Sequence, residues 1–352
     1  MDKIEVKGFK SIKDLSIELR PINILIGSNG SGKSNFLSFF DFLQMLNKPK
    51  FKEYVALNGG AEKFLHKGSK ITEEIKIKID FDSKDAYSFT LKKLEDYFIF
   101  TEENLYGEGC SDLFGNNKDI TSFSERSNLL KLKNRHREYL AQIRKYHFHD
   151  TSKNSPFARS SSINNGKFEL YGDGRNIAAF LYNIQQEKPK HYNLIVKTIQ
   201  SIAPYFSNFI FKPEGENIIL RWENKYSDTI YGVNDLSDGT MRFIALATLF
   251  MQPNLPQSII IDEPELGLHP DAIAKLSGMI KSVAAQDCQV IIATQSTDLI
   301  SYFEPEDILT VDNIDGESKF KRLDKKELET WLEDYTIGDL WKRNIISTGQ
   351  PN

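Results

Sequence analysis

One eight-residue segment limits the possible folds of this chain more than any other feature. Residues 27–34 read GSNGSGKS and match the P-loop pattern GxxxxGK(S/T) at every fixed position. The apolar run INILIG leads into this segment and NFLSFFDFLQML follows it, which predicts a buried strand, a loop and a helix. A glycine-rich turn without a ligand is the alternative, but this context favours a phosphate-binding loop.

The residue types in the loop suit the phosphates of a nucleotide. Glycines let the backbone curl so that its N–H groups face phosphate oxygens, and the following helix adds its positive end. Lys33 is predicted to reach the β- and γ-phosphates, and the Ser34 hydroxyl is predicted to ligate Mg²⁺.

A pair of acids ends a second apolar run. Ile259–Ile261 leads directly into Asp262 and Glu263, a costly place for two carboxylates unless a cation lies there. Asp262 is predicted to hold Mg²⁺ through water, and Glu263 to orient or deprotonate the attacking water. An acidic helix N-cap is the alternative, and the P-loop favours the catalytic interpretation.

The segment LSDGTMRF at 236–243 allows two interpretations. Ser237 or Asp238 can cap the helix that MRFIALATLFM predicts. A serine and a glycine at a helix N-terminus also suit a γ-phosphate.

Composition excludes several classes of protein. Lys and Arg total 45 and Asp and Glu total 49, so the net charge of −4 does not by itself indicate a nucleic-acid or membrane partner, and a locally basic surface stays open. Two cysteines, Cys110 and Cys288, cannot form a disulfide framework. No apolar stretch has the length of a signal peptide or a membrane span. We expect a cytoplasmic protein that has no membrane association.

Strands and helices alternate at both ends of the chain. This pattern predicts an α/β fold with a mostly parallel sheet, built from the two ends, with the middle of the chain inserted. DILTVDNID is predicted to be an edge strand, with Asp312 and Asp315 in a loop after it. SNLLKLKNRHREYLAQIRKY predicts a charged amphipathic helix.

Together these motifs resemble those of ABC-type ATPases of the SMC, RecF and OLD-like branch. The matching segments occur in the order of that family and cover about residues 1–45 and 234–312. They are FKSIKDLSIEL, GSNGSGKSN as Walker A, LSDGTMR as the signature, IIIDEPELGLHP as Walker B with the D-loop, and ATQS as the switch.

The resemblance implies an ABC-type P-loop NTPase head with an antiparallel β subdomain and a compact inserted helical and β lid. On this interpretation residues 1–47 and 232–320 form the split head, 48–231 the inserted lid, and 321–352 a helical tail. ATP and Mg²⁺ are the implied cofactors. The implied nucleotide contacts are Asn29, Gly30, Ser31, Gly32, Lys33, Ser34, Asn35, Ser237 and Gly239.

The resemblance also implies a head-to-tail dimer that sandwiches two ATP molecules. Ser237 and Gly239 would then act on the nucleotide of the other subunit, and the D-loop, Pro264 to His269, would lie at the dimer seam. Gln295 occupies the switch position, where the family usually has histidine, and glutamine cannot titrate. We therefore expect slow hydrolysis. The Q-loop glutamine is not identified, and Gln142 is a weak candidate.

The middle segment lacks sustained heptads, which excludes a long coiled-coil arm. Its basic residues can contact nucleic acid, contact a partner protein, or form a solvated helix face. His147 and His149 with Asp150 favour ordinary packing over a metal site. The basic residues are Arg126, Lys131, Lys133, Arg135, Arg137, Arg144 and Lys145.

The expected function is an ATP-dependent clamp or sensor that scaffolds or restrains a separate effector. OLD-type relatives carry a TOPRIM nuclease domain after the ATPase, and about forty residues after Thr310 are too few for one. Stand-alone proteins of this branch occur in bacterial defence-type gene pairs, so a nuclease partner is expected. The alternatives are a RecF-like DNA clamp without an effector, a transporter ATPase subunit, and a non-enzymatic scaffold.

Overall fold

A computed structural model describes most of the chain as two compact units. The described residues are 1–46, 48, 50–81, 85–106, 113–114, 118–119 and 140–346. One unit comprises Met1–Arg144 and Glu304–Asn352, and the other comprises Lys145–Phe303. This division differs from the split head, lid and tail expected from the sequence, and that domain assignment stays a prediction.

The elements follow one another in this order along the described residues. The strands are β1 Lys3–Phe9, β2 Ile12–Glu18, β3 Ile22–Ile26, β4 Glu74–Asp80, β5 Ala86–Leu94, β6 Tyr97–Tyr106, β7 Leu113–Phe114, β8 Lys118–Asp119, β9 Ile143–Tyr146, β10 Ser161–Ser162, β11 Phe206–Ile210, β12 Asn217–Ile218, β13 Arg221–Asn224, β14 Ile230–Gly232, β15 Ser258–Asp262, β16 Gln289–Ala293, β17 Ile308–Ile314 and β18 Glu317–Arg322. The α-helices are α1 Lys33–Leu46, α2 Phe51–Leu57, α3 Ile163–Gly166, α4 Ile177–Glu187, α5 Pro189–Gln200, α6 Asp238–Phe250, α7 Pro270–Ala284, α8 Thr297–Ile300, α9 Lys325–Leu332 and α10 Ile337–Lys342.

The first unit contains an antiparallel sheet. Its strands follow the order β2-β1-β4-β5-β6-β7, with β8 also paired to β6. In β4 the isoleucines at every second position are buried, as expected for a strand with one face on a core. That core includes an aromatic cluster in which the Phe42 ring lies 5.3 Å from Phe9, 5.4 Å from Phe64 and 6.1 Å from Phe98.

The first unit also holds the strand that precedes the P-loop. All five residues of β3 are buried, and β3 pairs in parallel with β17, which pairs antiparallel with β18. The prediction that β17 is an edge strand is therefore wrong, because β18 lies outside it. Asp312 lies within β17, and only Asp315 follows in the turn, where its φ is 54°. The first two residues of the expected helical tail, 321 and 322, belong instead to strand β18, which ends at Arg322.

The second unit holds the strand that ends in the acid pair. Strands β15 and β16 pair in parallel, with Ser258 opposite Gln289 and Asp262 opposite Ala293. Helix α6 packs against α5 and α7, and α7 packs against β16. Residues on every side of α6 are buried, which explains its continuous apolar sequence.

Smaller antiparallel pairs complete the second unit. They are the pair β10-β12 and the sheet β11-β13-β14, in which Trp222 stacks on Tyr231 at 4.9 Å. The predicted amphipathic helix over residues 127–146 is wrong at its end, because Ile143–Tyr146 is strand β9. Residues 127–139 lie outside the described residues.

The observed α/β fold, with parallel strands and an antiparallel subdomain, confirms the predicted fold class. No helix in the described part of the chain has the length and apolarity needed to cross a membrane.

Candidate functional site

The P-loop joins the buried strand β3 to helix α1 in the first unit. Gly30 and Gly32 have φ angles of 79° and 112°, which L side chains rarely adopt. A Cβ on Gly32 would also collide with the Ser318 hydroxyl. The local backbone therefore requires glycine at both positions, and Gly32 is one of the two glycines that the P-loop pattern fixes.

Two hairpins hold this loop in place. The Ser318 hydroxyl, on β18, donates a hydrogen bond to the Ser31 carbonyl at 2.7 Å and can accept one from the Ser11 hydroxyl, whose Oγ is also 2.7 Å away. The Asn313 amide donates to the Gly30 carbonyl at 3.2 Å. Asn35 donates to Ser11 Oγ at 2.8 Å, so its side chain is tied to the β1–β2 turn. The sequence did not predict that Ser11 and Ser318 support the loop, because these two serines lie far apart along the chain.

The side chains of the loop fit the phosphates of a nucleotide. Lys33 Nζ lies within the loop and donates to the carbonyls of Gly27 at 2.7 Å and Ser28 at 3.0 Å. Ser31 Oγ is buried and has no hydrogen-bond partner among the described residues, so a phosphate oxygen would satisfy it. The Ser34 side chain, the predicted Mg²⁺ ligand, is exposed at the start of α1. Asn29 and Gly30 are exposed as well.

The acid pair lies at the carboxyl end of β15, in the second unit. Burial raises the pKa of Asp262, and the neighbouring charge of Glu263 raises it further. A divalent cation would offset both effects, and carboxylate oxygen is a ligand that Mg²⁺ prefers. Glu263 has a φ of 39°, an uncommon conformation for a residue other than glycine. Such strained backbone is often found at functional sites.

The switch segment contacts both Glu263 and the D-loop. Gln295 donates from Nε2 to Glu263 Oε1 at 2.6 Å, so the two predicted catalytic side chains meet directly. The Thr294 hydroxyl donates to Glu265 Oε1 at 2.5 Å. The Glu263 N–H donates to the Ala293 carbonyl at 2.8 Å, which aligns the two segments. Glu265 and Thr294 were not identified from sequence.

The signature segment forms the start of α6. Ser237, rather than Asp238, is the N-cap, since its Oγ accepts a hydrogen bond from the Thr240 N–H at 3.2 Å. A Cβ on Gly239 would lie 2.5 Å from the Gly267 carbonyl oxygen. The signature turn and the D-loop therefore touch within one unit. The Ser237 side chain is exposed, and a role in binding γ-phosphate stays a prediction.

Arg242 and His149 lie beside the acid pair, and the sequence did not predict this position for either of them. Arg242 donates to the Leu266 carbonyl at 2.7 Å and to the His149 carbonyl at 3.0 Å. His149 Nε2 lies 3.0 Å from the Asp262 carbonyl oxygen, and its ring stacks on His147 at 4.2 Å. Arg242 and His149 line a small pocket together with Asp262 and Glu263. The only sequence signal was the pair of histidines, two positions apart.

Other candidates remain outside this cluster or outside the described residues. Gln142 lies in the turn before β9, and Arg144 and Lys145 lie on that strand. Where the structure describes the chain, no three His, Cys, Asp or Glu side chains group to hold a metal ion. The other basic residues of the proposed contact face, and Cys110, lie outside the described residues: Arg126, Lys131, Lys133, Arg135 and Arg137.

Comparison with curated proteins finds relatives in two bacteria. The OLD nuclease of Thermus scotoductus is 23% identical over 330 residues, which cover 84% of this chain and 59% of that protein. The ATP/GTP phosphatase of Helicobacter pylori is 23% identical over 299 residues, covering 76% of this chain and 77% of that protein. The chain therefore spans less than two thirds of the OLD nuclease.

Solved structures with the same fold include SMC heads. One is an SMC head bound to the C-winged helix domain of ScpA, with 16% identity and a TM-score of 0.63, covering 94% of this chain and 99% of that one. Another is an SMC head with an extended coiled coil, bound to the C-terminal domain of ScpA derived from Pyrococcus furiosus. It has 16% identity and a TM-score of 0.54, covering 95% and 98% of the two chains.

A family model assigns most of the chain. Its description is "AAA domain, putative AbiEii toxin, Type IV TA system", and it matches residues 22–301. That span runs from the start of β3 to the residue after α8, and it includes the Walker A, signature, Walker B, D-loop and switch segments. The resemblance to SMC, RecF and OLD-like ATPases is thereby confirmed, and the chain belongs to this family of AAA-domain ATPases.

Proposed function

We propose that this chain binds and slowly hydrolyses ATP, and that ATP joins two copies into a head-to-tail dimer. The dimer scaffolds or controls a separate effector, a nuclease, in a bacterial defence-type system. In each of its two sites the P-loop of one copy and the signature of the other hold the same nucleotide.

The observation that carries the proposal is the common surface of the signature turn and the D-loop. Ser237 is exposed at the N-terminus of a 13-residue helix, and Gly239 packs against Gly267. A helix N-terminus attracts phosphate oxygens, so this surface suits the γ-phosphate of a nucleotide held by a second copy. Both motifs predicted to lie at the dimer seam thus belong to one surface.

The proposed chemistry uses the contact between Glu263 and Gln295. A carboxylate can align and deprotonate water, whereas the glutamine amide can only donate or accept hydrogen bonds. In the structure, the Gln295 amide donates a hydrogen bond to Glu263 Oε1, so this oxygen already has a partner. When the amide donates to the γ-phosphate instead, that oxygen is released for the attacking water. Ser34 and Asp262 would hold Mg²⁺, which neutralises charge on the phosphates.

Two comparisons support the effector half of the proposal. The matching family carries the description "AAA domain, putative AbiEii toxin, Type IV TA system", and one relative is named a nuclease. The segment from Arg126 to Lys145 is proposed to contact nucleic acid or the effector, because basic residues predominate there.

The test uses a Glu263→Gln variant, which should bind ATP but not hydrolyse it. With ATP–Mg²⁺ we expect light scattering to show a dimer, and we expect purification from the host to yield a stoichiometric second protein with nuclease activity. Lys33→Ala, handled identically, is the matched control and should stay monomeric. A monomer with ATP bound would contradict the dimer. Nucleic acid alone, retained only with ATP, would replace the effector by a self-sufficient clamp.

A further inference from the structure

The D-loop holds the switch segment through a buried carboxyl group. Glu265 is 8% exposed, and its Oε1 accepts a hydrogen bond from Thr294, which is fully buried. Thr294 lies next to Gln295 in the chain and Glu265 lies two residues after Glu263. Two side-chain hydrogen bonds therefore link the two segments, one to the carboxyl group of each acid.

The same hydroxyl continues the link past Gln295. Thr294 Oγ1 accepts a hydrogen bond from the Ser296 N–H at 2.9 Å, and the same hydroxyl donates a hydrogen bond to Glu265. Ser296 in turn caps α8, with its Oγ accepting from the Leu299 N–H at 3.1 Å. The backbone on both sides of Gln295 is thus held by hydrogen bonds that begin at Glu265.

The surroundings of Glu265 favour a neutral carboxyl group. Glu265 Oε2 is buried and has no hydrogen-bond partner among the described residues. Burial raises the pKa of Glu265 to about 7, and the charge of Glu263 adds to the effect. A neutral side chain here still accepts the hydrogen bond of Thr294, so the link does not need a charge.

We propose that Glu265 is a positioning residue that acts through Thr294 to hold Gln295 where its amide meets Glu263. This inference rests on the proposed roles of Glu263 and Gln295 in hydrolysis. Loss of the link lets the switch segment move, so the Gln295 amide is no longer placed to pass from Glu263 to the γ-phosphate, as the proposed hydrolysis requires.

Amide hydrogen exchange tests the link without requiring hydrolysis. Thr294→Val and Glu265→Ala are expected to speed exchange of the Ser296 N–H by about tenfold or more, as local opening becomes easier. Thr294→Ser and Glu265→Gln keep the hydroxyl and the acceptor, and are expected to exchange at about the wild-type rate. Thr248→Val is the matched control, because Thr248 is fully buried and its hydroxyl donates to the Ile244 carbonyl within its own helix, α6.

Steady-state phosphate release tests the consequence for catalysis. In Thr294→Val and Glu265→Ala, kcat is expected to fall about tenfold or more, since small misplacements of catalytic groups are costly, while KM for ATP changes less than about twofold. Thr248→Val should leave both constants unchanged.

Unchanged exchange and unchanged kcat in Thr294→Val would overturn the proposal. The proposal would also be overturned if Thr294→Ser and Thr248→Val lost as much kcat as Thr294→Val, because this would indicate a general loss of stability. If the wild-type protein releases no phosphate, the proposed hydrolysis is refuted. Exchange at Ser296 then still decides whether Glu265 holds the segment.

Discussion

Replacing Glu265 by glutamine is expected to stabilise the protein at alkaline pH and to change it much less at acidic pH. Burial raises the pKa of this carboxyl from 4.5 to about 7. The folded state therefore binds the proton more tightly than the unfolded state does. The resulting stability is fully present below pH 4.5, and it is lost as the pH rises through about 7.

The size of the effect follows from the two pKa values. One pKa unit corresponds to about 1.4 kcal/mol, so ionisation of Glu265 lowers the free energy of unfolding by about 1 kcal/mol at about pH 5 and about 3 kcal/mol at about pH 8. Glutamine has nearly the same shape, stays neutral and still accepts a hydrogen bond from Thr294. The stability difference between Glu265→Gln and wild type should therefore grow by about 2 kcal/mol between these pH values.

Urea denaturation of both proteins at the two pH values measures this difference. Glu329→Gln, at an exposed position in α9, is the control and should shift stability by a similar small amount at both. If the Glu265→Gln difference is the same at about pH 5 and about pH 8, Glu265 does not titrate between them. Burial of Glu265 would then not favour its neutral form.

Three further substitutions test the candidate site. Lys33→Ala should weaken ATP binding about 100-fold, because charge-assisted hydrogen bonds to phosphate are lost; normal affinity by calorimetry would contradict the P-loop assignment. Glu263→Gln should retain ATP and abolish turnover, and unchanged phosphate release would exclude Glu263 as the base. Ser237→Ala should lower the free energy of unfolding by about 1 kcal/mol through loss of the N-cap. It should also reduce ATP-dependent dimerisation while ATP binding to the monomer stays normal, and weaker binding to the monomer would argue against action in trans.

Strands with continuous apolar sequence were predictable, whereas strands with mixed sequence were not. Strand β3 and strands β15 and β16 are buried along nearly their whole length, so their runs identify them. In β17 only residues 308–310 pair with β3, and residues 312–314, two of which are polar, pair with β18 alone among the described strands. The polar half suggested an edge and a loop, because sequence does not show which strand comes to lie beside it.

Spacing misled the prediction at β9. Ile143 and Tyr146 are buried three positions apart, which also fits one face of a helix, and a four-residue strand is too short to show alternation. Pairing with a neighbouring strand in the folded protein decides whether such a segment is a strand or a helix.

Single motifs of the candidate site were predictable, but the contacts between motifs were not. Lys33, Asp262 and Ser237 follow from local patterns that specify a loop, a strand end and a helix cap. The bond of Glu265 to Thr294 joins residues 29 positions apart, and although each lies in a recognised motif, no local pattern predicts that the two side chains meet. Likewise, no local signal shows that Arg242 reaches the carbonyls of His149 and Leu266.

Complementation between two inactive variants tests the proposed head-to-tail dimer most directly. Lys33→Ala disables the P-loop and Ser237→Arg disables the signature, so neither homodimer has an intact site. A mixed dimer has one site in which the intact P-loop faces the intact signature. Equal mixing should restore about one quarter of the wild-type phosphate release, since half of the dimers are mixed and each has one of two sites. A mixture no more active than the two variants measured separately would show that each copy completes its own site, and would contradict the account.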